Sequence, residues 1–270
     1  MIEITENEFQ KLADYIQANF GIFLKQEKQS LLNARLANVM EQNNFKNFSE
    51  YYDYVVSDAT GHASSVLIDR VTTNYTYFMR EPEHFRYMTD TALPYFESVI
   101  SDGDLRIWSA GCATGEEPYT IAIVLEEYFK TRRIGDKKLL ATDISTEALA
   151  AARRGEYIPK QLDALPPLWK LNYFTRRGEH FVVSDAIKKE VIFRRLNLIQ
   201  NFKFQFKRKF HIIFCRNVMI YFDKKTRDRL VEHFYDITEP GGYLFIGHTE
   251  SLDREVTRYR FVAPAIYRKI

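Results

Sequence analysis

The sequence predicts an α/β protein: a small all-helical N-terminal domain with its linker over residues 1–80, then a Rossmann-like domain over 81–270. Two observations predict this. Up to about residue 80 apolar residues recur at helical spacing. From Leu105 onward, short apolar strands alternate with helices, the pattern of a doubly wound sheet. A third observation adds a small antiparallel β insertion at about 173–193, where FTRRGEHFVVSDAIKKEVIF holds a charged turn within β-branched alternation. An ordinary long connection is the alternative there.

The elements follow in order. Thr5 and Glu8 form a T-x-x-E capping box ahead of Phe9, Leu12, Ala13, Ile16 and Phe20, and Gly21 ends that helix. A second helix runs from about Gln26 to Gln42 with Leu31, Leu32, Leu36, Val39 and Met40 inward. Ser49 caps a third, which carries Tyr51, Tyr52, Tyr54 and Val55; a fourth spans Ser64 to Thr72 and leads into VTTNYTYFMREPEHF. The strands are LRIWSA, KLLATD, VIFRRLNL, FHIIFCRN and GGYLFIGHT, and RFVAPAIYRK pairs antiparallel with the last.

Composition narrows the class. Hydrophobic residues make up 46% and charged residues 27%, ordinary for a globular chain. Lys+Arg 38 against Asp+Glu 36 leaves +2, so no global field argues for nucleic acid or a membrane surface. The local run KFQFKRKF, Lys203 to Phe210, reads as a loop entering a strand rather than a nucleic-acid patch. Two cysteines, Cys112 and Cys215, lie far apart without metal-ligand spacing, so a reducing compartment, no disulfide and no metal are expected. The acidic start MIEITENEF is no signal peptide, and no apolar run approaches the ~18 residues of a membrane span. A cytoplasmic monomer without membrane insertion is the expectation.

The chemistry begins at SAGCATGEEPY, Ser109 to Tyr119, between a strand and a helix. Gly111 and Gly115 allow a sharp turn and close backbone approach to a ligand. The spacing is neither G-x-G-x-x-G nor a P-loop. Where a phosphate loop carries lysine, this one carries Glu116 and Glu117. One acid in a first helical turn merely complements the helix dipole, worth ~0.3–1 kcal/mol. A pyrophosphate beside two would cost on the order of 1–4 kcal/mol per close pair. An ammonium or sulfonium would gain instead, and S-adenosylmethionine carries both and no phosphate. Asp143 ends KLLATD, where a carboxylate accepts from ribose hydroxyls; capping of the next helix is the plainer alternative. FHIIFCRNVMIYF runs straight into Arg216 and Asn217, then Tyr221, which places polar groups in the ligand crevice. The N-P-P-Y or D-P-P-Y motif of enzymes that methylate amino nitrogens is missing; the sole Pro-Pro pair, Pro166-Pro167, follows Leu165 in a connection.

VTTNYTYFMREPEHF, SAGCATGEEPYTIAI, ATDIS and FCRNVMIYF, in that order, closely resemble the chemotaxis receptor methyltransferases, the CheR family. The resemblance covers nearly the whole chain, and T-N-x-T-x-F-x-R-E together with C-R-N-V-M-I-Y-F is highly specific. It implies a class I S-adenosylmethionine-dependent methyltransferase that esterifies glutamate side chains on the cytoplasmic helical domains of methyl-accepting chemoreceptors. Carried over by motif, Asn74, Thr76 and Arg80 reach the cofactor from the linker. Glu117 is the cofactor ligand of the G-E-E motif, with Glu116 as the alternative, and Asp143 takes the ribose. Asn197 and Leu198 flank the adenine, Arg216 and Asn217 the methionine end, and Arg80 and Tyr221 stand nearest the reaction. The chain departs from the enteric pattern in its second helix, which keeps Lys25, Lys28 and Arg35 but then turns neutral; Arg35 is the best docking candidate there. The turn RRGEH looks short for the family's β-subdomain, so no tethering receptor pentapeptide is expected. A non-catalytic binding module of the same fold is the competing reading, and intact Arg80, Asp143, Arg216, Asn217 and Tyr221 argue against it.

Overall fold

Local capping rules place the first helices in the computed structural model, which describes residues 2–132, 134–200, 202 and 206–270. Helix α1 (Glu6–Phe20) opens on the capping box and stops where Gly21 takes φ 73°. Helix α2 (Gln29–Gln42) follows a 3₁₀ turn over Gln26–Lys28 and buries Leu32, Leu36, Val39 and Met40. Leu31, expected inward, is 44% exposed, because it lies one residue off the buried stripe. Helix α3 (Phe48–Ser57) is capped by Asn47, not Ser49: the Asn47 side chain accepts the Glu50 N–H at 2.9 Å. Burial of Phe48 starts the helix earlier, and Ser49 instead donates its N–H and hydroxyl to Glu8 of α1. Helix α4 (His62–Val71) begins after Gly61, ahead of the expected Ser64. The four apolar stripes meet in one core around Leu12, Ile16, Leu36, Tyr51 and Leu67.

The linker leads to α5 (Pro82–Tyr87), a π-helical turn over Met88–Ala92 and α6 (Leu93–Val99). The sheet domain then runs β1 (Ile107–Ala110), α7 (Glu116–Phe129), β2 (Leu139–Asp143), α8 (Thr146–Arg154), β3 (Glu156–Tyr157), α9 (Pro167–Tyr173), β4 (Phe174–Arg177) and β5 (His180–Val183). It continues with α10 (Asp185–Glu190), β6 (Val191–Arg195), β7 (Phe210–Cys215), α11 (Lys224–Ile237), β8 (Thr238–Ile246), β9 (Arg260–Ala263) and β10 (Ile266–Arg268). The main sheet has the order β6-β2-β1-β7-β8-β10-β9, parallel from β6 to β8. Strand order reverses between β1 and β7, which opens a crevice at their carboxyl ends.

Two details differ from expectation. The small antiparallel sheet is β3-β5-β4, so one of its strands, Glu156–Tyr157, lies well before residue 173. The insertion ends before 193, because Val191–Arg195 is, as the strand VIFRRLNL predicts, part of the main sheet and pairs in parallel with β2 over five residues. RFVAPAIYRK does not continue as one strand. Ala265, at φ 59°, folds it into a hairpin in which β10 pairs with β8 and β9 only with β10.

The basic run at 203–210 lies partly outside the described residues. Its Arg208 pairs with Asp102 at 2.6 Å and with Asp104, and Phe210 opens β7. Among the described residues no helix is long and apolar enough to cross a membrane.

Candidate functional site

A cavity of about 240 Å³ lies at the carboxyl ends of β1, β2 and β7. Its far wall comes from the helical domain, through Phe20, Ile22 and Leu32. The linker lays Asn74, Thr76 and Arg80 along it, anchored by Phe78, whose buried ring packs on Tyr157 and Phe174. Glu117 enters from the head of α7 and Asp143 from the end of β2. Asn197 and Leu198 follow β6, and Arg216, Asn217 and Tyr221 follow β7. The fold thus brings Asn74, Thr76, Arg80, Glu117, Asp143, Asn197, Leu198, Arg216, Asn217 and Tyr221 to one cavity, and leaves the alternative Glu116 outside its lining.

Backbone geometry explains the loop. The N–H groups of Gly111 and Cys112 donate to the Thr142 carbonyl at 2.8 and 2.9 Å, which ties the β1–α7 turn to β2. Gly111 and Gly115 hold φ 88° and 101°, and the linked Ala113 is forced to φ 46°. Asp143 locks the turn: its Oδ2 accepts the Ala113 N–H at 2.8 Å and its Oδ1 the Ser145 N–H at 2.9 Å. The cap of α8 is Ser145, so the D-I-S-T run does cap the next helix, while Asp143 itself supports that cap through the Ser145 N–H and also lines the cavity. Burial pushes the Asp143 carboxyl above its ordinary range, against the pull of those amides.

The two glutamates part company here. Glu116 is buried away from the cavity, where its carboxylate accepts from the Thr114 hydroxyl at 2.6 Å and from Gln161 at 3.3 Å. Glu117 faces the cavity, accepts from the Ser109 hydroxyl at 2.7 Å and pairs with Arg216 at 3.0 Å. Burial raises the Glu117 carboxyl, an effect the Arg216 guanidinium opposes.

Arg216 is the fastener of the site. Its side chain is 1% exposed, pairs with Glu117 and with Glu81 at 3.2 Å, and donates to the Arg80 carbonyl. It also lies over the Phe85 ring at 5.4 Å. Burial works against the Glu81 carboxylate, yet Arg216 and the His248 N–H outweigh it and hold the pKa low. Beneath the turn after β7, buried Glu250 accepts N–H groups from Asn217, Ile220 and Gly247 at 2.9, 3.1 and 2.6 Å. Ala113 and Asn217 in the cavity lining, and Met79 and Glu81 on either side of Arg80, all sit at positive φ, strain held by the surrounding contacts. Sequence reasoning missed Glu81 and Glu250 as structural partners. Glu81 was visible in the T-N-x-T-x-F-x-R-E run, but nothing there pointed to Arg216 as its partner. Glu250 had no local signature, since its partners are brought to it by the turn from another strand.

The comparisons with known proteins agree in one direction. Residues 74–267 match the family model described as "CheR methyltransferase, SAM binding domain", and residues 7–72 match "CheR methyltransferase, all-alpha domain". The chain belongs to the CheR methyltransferase family. It is 42% identical to the chemotaxis protein methyltransferase of Borreliella burgdorferi, over 99% of this chain and 96% of that one. To the chemotaxis protein methyltransferase of Escherichia coli it is 32% identical, over 98% and 92% of the two chains.

The cavity suits the S-adenosylmethionine of a CheR protein by the sign of its groups. Its acids are Asp143, which is buried, and Glu117, which is half-buried, and the Asn217 side-chain oxygen is buried without a hydrogen-bond partner, a free acceptor for an ammonium. Of its cations, Arg216 is buried and already paired with Glu117 and Glu81, Arg35 and Arg80 are half-buried, and Lys28 is exposed. Arg80 pairs with neither Glu81 nor Glu83, the partners an ordinary surface arginine would take; Glu83 is held by Arg86 at 2.7 Å. Instead Arg80 donates to the Tyr75 carbonyl at 3.1 Å and lies 5.7 Å from the Tyr77 ring centroid, which leaves most of its fork free. Tyr221 packs against the helical-domain core beside Phe222, and its carbonyl accepts the Phe23 N–H at 2.8 Å. Its hydroxyl makes no hydrogen bond to the described residues. Arg35, nominated for docking, is engaged otherwise: its guanidinium donates to the Val71 and Thr72 carbonyls and to the Thr73 hydroxyl at 2.9 Å. It fastens α2 to the linker because the carbonyls at the end of α4 lack helical partners. Asn197 likewise ties the domains, donating to the Asn19 carbonyl at 2.8 Å.

Proposed function

We propose that this protein transfers a methyl group from S-adenosyl-L-methionine to glutamate carboxylates on the cytoplasmic helical domains of chemoreceptors, leaving methyl esters and S-adenosyl-L-homocysteine. The observation that carries the reading is that one cavity gathers the Glu117 and Asp143 carboxylates and the unpartnered Asn217 side-chain oxygen opposite Arg80, whose guanidinium makes one hydrogen bond among the described residues, to the Tyr75 carbonyl.

The bound donor supplies an electrophilic methyl on a positively charged sulfur. Glu117 and the unpaired oxygen of Asn217 would receive the cationic part of the donor, Asp143 would accept from its ribose hydroxyls, and Asn197 with Leu198 would flank its base. Arg216 holds Glu117 and Glu81 in place and closes the methionine end. Asn74 and Thr76 complete the wall from the linker. Arg80 presents a charge-assisted fork to the incoming glutamate, and the Tyr221 hydroxyl orients its second oxygen. A glutamate side chain, with pKa of about 4.3, arrives ionised at neutral pH, so no general base is needed. Catalysis then rests on in-line placement and exclusion of water by the apolar wall of the helical domain.

The enzyme acts as a monomer in the cytoplasm and needs no receptor-tail peptide, since only Gly178 and Glu179 separate β4 from β5. Incubation with methyl-labelled S-adenosylmethionine and receptor cytoplasmic fragments tests the reading. Base-labile label on the receptor fragment, mapping to glutamate, is the expected result. Label on nucleic acid, or cofactor binding with no transfer to any receptor fragment, would overturn it.

A further inference from the structure

Glu81, His84 and His248 meet behind the Arg216 fastener. Glu81 precedes α5 and His84 sits one turn later on the same side; His248 arrives from the turn after β8. One potential ligand atom from each lies within 4.8 Å of the other two. His84 Nδ1 stands 3.5 Å from Glu81 Oε2, and the two imidazole centroids are 4.8 Å apart with rings at 86°. His84 is fully buried, and neither ring nitrogen completes a hydrogen bond, although the Pro264 backbone comes close. A buried polar group left unpaired is destabilising, because it has lost its water without gaining a partner. Such a cost points to a missing partner.

We propose that Glu81, His84 and His248 form a binding site for a borderline divalent cation, of which Zn²⁺ is the probe. Two imidazoles and one carboxylate are a donor set that suits zinc and leaves a fourth position for water. Tetrahedral zinc with bonds of about 2.0–2.2 Å sets its ligand atoms about 3.3–3.6 Å apart. The His84–Glu81 edge already has that length. His248 is exposed, so its side chain is free to close the remaining edges and its surface position gives the ion a way in. The opposing term is the Arg216 guanidinium beside Glu81 Oε2, but Arg216 is also neutralised by Glu117. The cation therefore shares the Glu81 carboxylate rather than facing a bare positive charge. The sequence gives no hint of this set, because the third ligand comes from a distant strand.

Titration of Zn²⁺ into the full chain without cofactor or receptor tests the site independently of methyl transfer. One saturable site of micromolar affinity is expected, with Co²⁺ giving the visible absorption of a tetrahedral complex. His248→Ala alters only an exposed side chain and should keep the wild-type melting temperature while weakening the site at least about tenfold; Glu81→Gln should weaken it similarly. Both cysteines are buried, so thiols do not compete. Absence of saturable binding, or binding undiminished in His248→Ala and therefore held by other histidines, overturns the proposal.

Discussion

Arg80 and Glu117 carry opposite charges on one cavity and are held in opposite ways. Glu117 is fixed by Ser109 and Arg216, whereas Arg80 has a single hydrogen bond to a carbonyl. Removal of Arg80 should thus leave the fold intact. Arg80→Ala is expected to lower turnover at least about a hundredfold, the scale of a lost positioning group, with an unchanged melting temperature. Tyr221→Phe should reduce turnover more than affinity for S-adenosylhomocysteine. Initial rates beside calorimetric titration separate the two, and wild-type turnover in either variant would return that residue to a packing role. The tandem glutamates allow a sharper contrast. Glu117→Gln should weaken cofactor binding by about 10- to 100-fold, the worth of a charged hydrogen bond, while Glu116→Gln, turned towards Gln161, should change it only a few-fold. Equal losses would mean that the loop as a whole, rather than one carboxylate, is being disturbed.

At the scale of elements, the turn between β1 and α7 shows how little a motif says by itself. Gly111 and Gly115 were legible as hinges. Their necessity is set by neighbours from elsewhere: a Cβ on Gly111 would stand 2.3 Å from a Val218 methyl, and one on Gly115 would press on Ala152 and the Tyr157 hydroxyl. Gly111→Ala therefore combines left-handed strain with a clash and should cost about 1–3 kcal/mol. Denaturant midpoints check this, and adding Val218→Ala should recover part of the loss; no recovery would leave backbone strain as the whole cause. Capping chemistry was read correctly for α1, where donor and acceptor are three residues apart. It failed for α3, because burial of Phe48 and the demand of Glu8 for Ser49 outrank local preference. The same competition sent Leu31 outward and split RFVAPAIYRK at Ala265.

For the whole molecule, the seam between the helical and sheet domains makes the cavity. Gln17 donates to Asp223, Asn197 to the Asn19 carbonyl, and Phe23 to the Tyr221 carbonyl, so both domains hold the turn that carries Tyr221. Stability against pH is also a property of the whole fold. His211 accepts the Arg106 N–H on Nδ1 and is buried, so burial, and then the Arg106 charge, lower its pKa to about 4. In the unfolded chain the value is about 6.5. Between those values the unfolded state binds the extra proton, so stability is lost as pH drops, by up to about 1.4 kcal/mol per unit. The buried carboxyls Glu116, Glu117, Asp143 and Glu250 act in the other direction, since their raised values let the folded state take protons first as pH drops. A difference measurement isolates the histidine. His211→Asn should lose less stability than wild type between pH 7 and about 4.5 in urea titrations; identical losses would show that His211 titrates alike in both states.

What the sequence by itself determined is whatever depends on neighbours along the chain. Helical spacing, the strand–helix alternation, the glycine hinges and the run of motifs were all readable, because they are written within one turn, one strand or one loop. Through the motifs, the residues that share the cavity were readable as well. Only the tertiary structure decided which glutamate of the pair faces inward, that Arg216 is bound to Glu81, that Arg35 is occupied with the linker, and that Glu250 and His248 come to the site. These are contacts between elements distant in sequence, chosen by burial and by the pairing of charges removed from water, and no local pattern encodes that choice.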